Sequence, residues 1–384
     1  MTQIRFVPRS SRRPRPGRRP HGFTLVELIV ALALGVLISL AALAALLSAQ
    51  RGYAGVDTGA QLRDNTSFAV DLIQRLALQT GYQDLTSPNV MSLSSAILSG
   101  NTPSPMPAVT GYNNALVTLS SLPSITGGSR SDGCPTDAAD PTACTNGSDA
   151  LVLRFYGIND ANPSATTGDG SMIDCAGNVV PPLTGSVANR AWSIFYIATD
   201  SNGEPTLMCA TNTTGSWMAT PLVSGVESFQ VLYGVDDVTP GSSGSPGTPH
   251  VPTFSDNPLY PANPTVPPTL QWLRADQIGS GTSSYAAWYE VRRIRIGLLL
   301  RGPPNTAVDK ASTAATWYPL GYGNNHNGGY VGLGSSSDPG TELTTIADGR
   351  VRRTLSFTIY LRNPNPCPGL GVSVPANSAC HAIP

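Results

Sequence analysis

Gly22-Phe23-Thr24-Leu25-Val26-Glu27 heads the run FTLVELIVALALGVLISLAALAALL, which extends from Phe23 to Leu47. The run holds 25 residues and a single charge, Glu27. A bilayer's hydrocarbon core takes about 20 apolar helical residues, so this segment is long enough to cross. It is too long for the apolar core of a secretory signal peptide, roughly 7–15 residues, and such a core would not carry an acid. A twin-arginine signal fits poorly, because Ser11-Arg12-Arg13 is followed by Pro14-Arg15-Pro16 rather than by apolar residues. A plain membrane anchor accounts for the length but not for Glu27. A carboxylate in an apolar span is costly and by default functional, and its partner has to be named. A cut after Gly22 would supply one, since Phe23 would then carry a new α-amine one helical turn from Glu27. Carboxylate and ammonium can neutralise each other between neighbouring subunits whose apolar helices pack side by side.

Residues 1–22 contain Arg5, Arg9, Arg12, Arg13, Arg15, Arg18 and Arg19 and no acid. The positive-inside rule keeps such a block in the cytoplasm and sends the chain beyond the span across the membrane. Pro14, Pro16 and Pro20 favour an extended, accessible leader. The 384-residue chain has a formal net charge of −1, which becomes −8 when the seven leader arginines are removed. That balance gives no sign of a nucleic-acid binder.

The G-F-T-L-V-E pattern resembles the class III signal of type IV prepilins and pseudopilins: Gly before the cut, Phe after it, Glu at the fifth mature position, then an apolar run. The resemblance implies cleavage between Gly22 and Phe23 by an inner-membrane aspartic prepilin peptidase, N-methylation of Phe23, and Glu27 as an assembly contact. The 22-residue leader is longer than in many members.

The helix is expected to continue beyond the span. Phe68, Leu72 and Leu76 recur at four-residue spacing, and Ala69 and Ile73 share their face, as in an amphipathic helix that covers a core. Gly81 is the expected stop. Gly52, Gly55 and Gly59 weaken the middle, each by about 1 kcal/mol against Ala, which predicts a bend or local melting. The expected division is a leader at 1–22, a transmembrane half-helix at 23–47, an outer half-helix at 48–81, and a β-rich globular domain at 82–384.

Gly (39) and Pro (34) are abundant and only 12% of residues are charged, a composition that suits a loop-rich β protein. Strands are predicted at Ala150–Tyr156, Trp192–Ala198, Thr206–Ala210 and Ser228–Tyr233. Asp200-Ser201-Asn202-Gly203 is a hairpin turn signal. Arg293 and Arg295 alternate with Ile294, Ile296 and Leu298, and Thr354, Ser356 and Thr358 with Leu355, Phe357, Ile359 and Leu361. Such alternation predicts one wet and one buried face. Residues 83–149 read as loops with short strands, and 236–284 and 302–341 as long loops.

Three segments are similar to PilW-type minor pilins: Ser148-Asp149-Ala150-Leu151-Val152-Leu153-Arg154, Leu222–Glu227 leading to Tyr233-Gly234-Val235-Asp236, and Arg352-Arg353 leading to Leu361-Arg362-Asn363. PilW-type proteins in turn resemble the J-type pseudopilins of type II secretion. The acidic turn often found after Tyr-Gly-Val-Asp is replaced here by Thr239-Pro240-Gly241-Ser242-Ser243-Gly244, which weakens any case for a cation site there.

Six cysteines, Cys134, Cys144, Cys175, Cys209, Cys367 and Cys380, form no C-x-x-C pair. Zinc spacing is therefore absent, and an even count suits disulfides in an oxidising compartment. Of the 15 pairings six cysteines allow, sequence neighbours are favoured: Cys134–Cys144, Cys175–Cys209 and Cys367–Cys380. No H-E-x-x-H, G-x-S-x-G or phosphate-loop motif occurs. His250, His326 and His381 fall in loop-like sequence. Asp200, Asn202 and Glu204 lack the length and bidentate end of an EF-hand and read as a plain hairpin.

The sequence therefore predicts an α+β protein, a long N-terminal transmembrane helix packed on antiparallel sheet, with no enzymatic constellation, no cofactor and no metal site. The resemblance implies a structural minor pilin that primes or joins assembly of a type IV pilus, in a tip complex. Its partners would be prepilin peptidase, other minor pilins, the major pilin and the inner-membrane assembly platform. It would sit in the inner membrane with a cytoplasmic N-terminus and a periplasmic globular domain, and later in the pilus at the cell surface. The alternatives are a J-type pseudopilin and a membrane-anchored binding protein or adhesin that does not polymerise.

Overall fold

A computed structural model describes residues 22–82, 106–119, 124–127, 145–159, 167–182, 190–236, 238–241, 245–249, 270–307, 315–322 and 341–363. The chain divides into two compact units, residues 1–53 and 54–384. Helix α1 is Leu25–Gln79. Gly52, Gly55 and Gly59 are all helical, so the local melting expected there is absent.

From residue 54 onward one stripe of α1 is buried: Thr58, Leu62, Thr66, Ala69, Ile73, Leu76, Ala77 and Thr80. Steps of three and four put these on one face. The apolar periodicity centres the stripe on Phe68, but Phe68 is 52% exposed. The true stripe runs through threonines, whose polarity hides it in the sequence. Buried Thr66 and Thr80 satisfy their hydroxyls internally, donating to the Leu62 and Leu76 carbonyls one turn back. Gly81 ends the helix at φ +77, and its N–H donates to the Arg154 carbonyl at 3.0 Å. A Cβ there would stand 2.9 Å from the Asn363 carbonyl oxygen, so glycine is required for both conformation and space.

Fifteen strands lie among the described residues. They are β1 (Val109–Tyr112), β2 (Ala115–Thr118), β3 (Ser124–Gly127), β4 (Ala150–Phe155), β5 (Ala191–Thr199), β6 (Pro205–Thr211), β7 (Met218–Ser224) and β8 (Val226–Asp236). Then come β9 (Val238–Thr239), β10 (Thr248–Pro249), β11 (Leu270–Leu273), β12 (Val291–Arg301), β13 (Thr316–Trp317), β14 (Leu343–Thr344) and β15 (Arg352–Tyr360). Two antiparallel sheets dominate, in the orders β1-β4-β5-β6-β7 and β11-β8-β12-β15. The alternation in β12 holds: Ile294, Ile296 and Leu298 are buried, while Arg293 and Arg295 are half-exposed. In β15 only Ile359 is fully buried, because that strand lies at a sheet edge.

Three expectations change. β8 has no wet face: Ser228 and Gln230 are as buried as Phe229 and Val231. The reason is its central position, with β12 on one side and β11 on the other. The segment 236–284 is not bare loop, since β9, β10, β11 and the helix Ala275–Ile278 lie in it. Its strands are too short for periodicity to betray. Likewise 302–341 contains β13.

The two sheets share one core. Leu62, Ala69, Ile73, Leu76 and Ala77 of α1 pack with Leu151 and Leu153 of β4, Phe195 of β5, Phe229 of β8 and Ile296 of β12. The opposite face of the first sheet carries a smaller cluster with Val152, Ile194 and Ala210, on which Val117 of β2 and Ile125 of β3 pack.

The chain passes from one sheet to the other at Gly225, between β7 and β8, with φ +82. Its carbonyl accepts from Arg301 N–H at 2.7 Å, and a Cβ would stand 2.5 Å from the Arg301 carbonyl oxygen. A second link is Ser148-Asp149, just before β4. Asp149 N–H donates to the Phe229 carbonyl at 2.8 Å. Its carboxylate accepts from Val231 N–H at 2.8 Å and Asn114 N–H at 3.0 Å. This segment completes the β8 edge where short β11 does not reach. The apolar-looking motif Ser148–Arg154 thus begins with a sheet-to-sheet staple.

Candidate functional site

α1 begins at Leu25, which makes Thr24 its N-cap and Glu27 its third residue. Thr24 N–H donates to Glu27 Oε2 at 3.0 Å, and the Thr24 hydroxyl donates to the same oxygen at 3.0 Å. Glu27 N–H donates back to Thr24 Oγ1 at 3.3 Å. This reciprocal arrangement is a capping box, in which side chains satisfy amides that the first helical turn leaves open. A carboxylate in the first turn also complements the helix dipole. Thr-x-x-Glu ahead of an apolar run is a readable signal for it, and a reading of Glu27 that looks only for an amine passes over it. Oε1 accepts no hydrogen bond among the described residues, which leaves it for a partner from outside.

Every described residue from Gly22 to Gln50 is exposed. The helix is long and apolar enough to cross a membrane. Ser39 hides its hydroxyl by donating to the Gly35 carbonyl at 2.8 Å. A Cβ on Gly22 would meet nothing within 4 Å, so nothing in the described chain demands glycine at that position. The structure brings Gly22, Phe23 and Glu27 into one short segment, while the leader residues 1–21 lie outside the described residues.

In the globular unit Cys175 and Cys209 form a disulfide, with Cα atoms 5.9 Å apart. It fixes the turn around Asp174 to β6. Cys134, Cys144, Cys367 and Cys380 lie outside the described residues, as do His250, His326 and His381. Asp200–Gly203 is a hairpin turn: Asp200 Oδ1 accepts from Asn202 N–H at 2.8 Å and Glu204 N–H at 2.9 Å.

Glu204 belongs to a closed ring of six charges at the corner between the sheets. Arg352 donates to Glu227 from Nε at 2.7 Å and Nη2 at 2.9 Å, and to Asp348 from Nη1 at 2.8 Å and Nη2 at 2.6 Å. Arg301 joins Glu227 at 3.0 Å to Glu204 at 2.8 Å. Arg350 meets Glu204 at 2.7 Å and Asp348 at 3.7 Å, closing the ring. Three cations alternate with three anions, so each buried charge faces opposite charges on both sides. Burial alone would raise Glu204 and Asp348. Hydrogen bonds from Arg350 and Arg301, and from Arg352, outweigh it and hold both below their ordinary values. Burial opposes the Arg352 charge too, and Asp348 and Glu227 more than compensate. Sequence alone leaves this ring hidden, because Glu204, Glu227 and Arg301 lie far along the chain from one another and from Asp348, Arg350 and Arg352.

Residues 17–43 match the prokaryotic N-terminal methylation motif. Residues 194–363 match the family described as Type IV Pilus-assembly protein W. The second range contains the whole charge ring and the whole second sheet; Ser148–Arg154 falls outside it. A similar solved structure is a type IV-like pilin from Thermus thermophilus, 12% identical, with 72% of this chain and 97% of that chain covered and a TM-score of 0.24. No curated protein matches the chain. An N-methylation motif at the head of a long apolar helix, followed by an antiparallel sheet domain, makes the chain a type IV pilin-like protein. Its globular part makes it, more narrowly, a PilW-type minor pilin.

Proposed function

We propose that the chain is a structural subunit that primes or joins assembly of a type IV pilus, in a tip complex with other minor pilins. On this reading prepilin peptidase cuts between Gly22 and Phe23, and Phe23 is N-methylated. The peptidase is then the source of the demand for glycine at position 22, which the chain itself does not make. The segment 23–47 spans the inner membrane with its N-terminal end in the cytoplasm. The globular unit folds on the periplasmic side, where Cys175 and Cys209 can oxidise, and later stands on the cell surface. Major pilin and the assembly platform are its further partners.

The observation that carries this reading is Glu27 in its capping box. It is the one charge among the exposed apolar residues Phe23–Leu47. Within a single chain Thr24 occupies one carboxylate oxygen and leaves the other open. During assembly that oxygen takes the N-terminal ammonium of a neighbouring subunit. The PilW-type globular part favours the pilus over type II secretion.

Glu27→Ala tests the proposal. It removes a charge that is costly in the membrane, so membrane level and processing should hold. It also strands the neighbour's ammonium in low dielectric, so incorporation into filaments or the priming complex should fall about tenfold or more. Glu27→Asp keeps the charge with less reach and should be milder. Incorporation of Glu27→Ala at the wild-type level would overturn the assembly role and favour a membrane-anchored binding protein.

A further inference from the structure

The two large sheets end in four edge strands, β1, β7, β11 and β15. An open edge is a row of unpaired backbone donors and acceptors, and proteins guard it with short strands, prolines, bulges or charges. β1 and β11 span four residues each. β7 carries Pro221, and its pairing with β6 shifts register between Leu207 and Met208. β15 runs nine residues and pairs with β12 in unbroken register, from Arg352 opposite Arg301 to Tyr360 opposite Arg293. From Thr354 to Tyr360 its sequence is TLSFTIY, with no charge, proline or glycine. That stretch has none of the guards.

The register fixes which backbone groups face outward. Leu361 N–H donates to the Arg292 carbonyl at 3.0 Å, and Gly302 N–H to the Val351 carbonyl at 2.8 Å. The odd-numbered residues of β15 therefore turn their backbone groups toward β12, and in an antiparallel ladder the alternate residues point the other way. The N–H and C=O groups of Thr354, Ser356, Thr358 and Tyr360 line the far edge, where they make no hydrogen bond among the described residues. Ser356 and Tyr360 are exposed, Tyr360 at 67%. Leu355 and Phe357 lie opposite Leu298 and Ile296. Those β12 partners are fully buried, but Leu355 and Phe357 are half-buried, so an added strand has apolar surface to cover. Charge brackets the edge: Arg353 is half-exposed at its start, and Arg362 is exposed just past its end. Neither meets a carboxylate among the described residues, whereas Arg352 is paired to Glu227 and Asp348. A second copy paired antiparallel about Phe357 would set Arg362 of each chain opposite Arg352 of the other, like charge against like. A strand ended by carboxylates meets opposite charge at both ends.

We propose that the β15 edge is a docking site for an extended segment of a partner protein, which adds as a further strand, is uncharged and β-branched through its middle, and carries a carboxylate at each end. Main-chain hydrogen bonds give this contact its affinity, and the bracketing arginines select the partner. The site lies on the globular unit and does not depend on Glu27.

Hydrogen exchange over Thr354–Tyr360 in the full-length chain in detergent tests this. The probe is the synthetic peptide Glu-Thr-Val-Thr-Ile-Thr-Val-Thr-Glu, and the control is the same peptide ended by Arg. In the chain alone the amides of Leu355, Phe357 and Ile359 should exchange slowly and those of Thr354, Ser356, Thr358 and Tyr360 fast. The acid-ended peptide should slow the second set about tenfold once it stands about ten times above its Kd, and the Arg-ended peptide should not. No slowing at about 1 mM acid-ended peptide overturns the site, and equal slowing by both peptides overturns the charge selection. Slow exchange of the second set in the chain alone also overturns it. Protection that grows with protein concentration assigns the edge to a second copy, and protection independent of concentration assigns it to the chain's own residues 364–384. Ser356→Pro removes one outward N–H and no bond of the β12 ladder, so it should keep the slow exchange of Ile359 and lose the peptide response. A full response in this variant overturns the strand-addition geometry.

Discussion

The two halves of α1 differ in apolar content and in surroundings: Phe23–Leu47 holds a single charge, whereas residues 48–79 carry Arg51, Asp57, Arg63, Asp64, Asp71 and Arg75. From Phe23 to Leu47 every side chain is exposed, and apart from Glu27 Oε1 the side-chain polar groups of Thr24, Glu27 and Ser39 are tied back onto the helix itself. From residue 58 to residue 80 a stripe at three- and four-residue spacing is buried against both sheets. Its polar flank faces water. The outer half thus finds its partners in its own chain. Among the described residues the first half packs on nothing, and it is long and apolar enough to cross a membrane. On the proposed reading one continuous helix contains a folding element and an assembly element, and substitutions in the two should separate cleanly.

A large effect on folding is expected at the charge ring, outside α1. Glu227 is nearly inaccessible and accepts from both Arg352 and Arg301. Glu227→Ala leaves Arg352 and the partly buried Arg301 each one carboxylate short, with Asp348 and Glu204 still in place, and should cost about 3 kcal/mol in chemical denaturation. Cleavage after Gly22 should be unchanged, because that element is remote in function from the ring.

Within α1 the contrast is Ile73→Ala against Leu37→Ala. Ile73 is fully buried and Leu37 is 65% exposed. The first should destabilise the globular unit by about 2–5 kcal/mol, the second by less than about 0.5 kcal/mol. Equal losses would mean that the first half of the helix also packs on the globular unit, and the division of labour would be wrong.

A smaller effect should appear with pH. Glu204 and Asp348 are held below their ordinary values of 4.5 and 3.8. A depressed carboxylate contributes stability above its ordinary value, and that stability is lost as pH falls through the folded value. The Tm of the globular unit should therefore be nearly flat from neutral pH to about 5 and fall below about 4. Glu204→Gln should reduce the acid limb. An unchanged limb would place the acid-sensitive groups elsewhere.

Legibility from the sequence tracks the length and regularity of each pattern. The apolar helix, the Gly81 stop, the Asp200–Gly203 turn and the long strands β4, β5, β6, β12 and β15 are readable, because each carries several periods of apolar residues or a defined turn signal. β11 is not, since Leu270–Leu273 is too short to show a period. The burial of Ser228 and Gln230 is hidden because it depends on strands that flank β8 in space. The buried threonines of α1 read as part of its wet side, because back-bonding to the helix lets a hydroxyl enter the core. At the candidate site Gly22, Phe23 and Glu27 stand close together in sequence and can be found there. The charge ring draws on distant segments, and no local pattern announces it.

The central claim is that the exposed first half of α1 is an assembly element that begins at a processed N-terminus. Mass spectrometry of the N-terminal peptide from the membrane-extracted protein tests it most directly. The account requires a chain that starts at Phe23 and carries one methyl group on its α-amine. A chain that retains Gly22 and the preceding arginines, or that starts at an unmethylated Phe23, would contradict it.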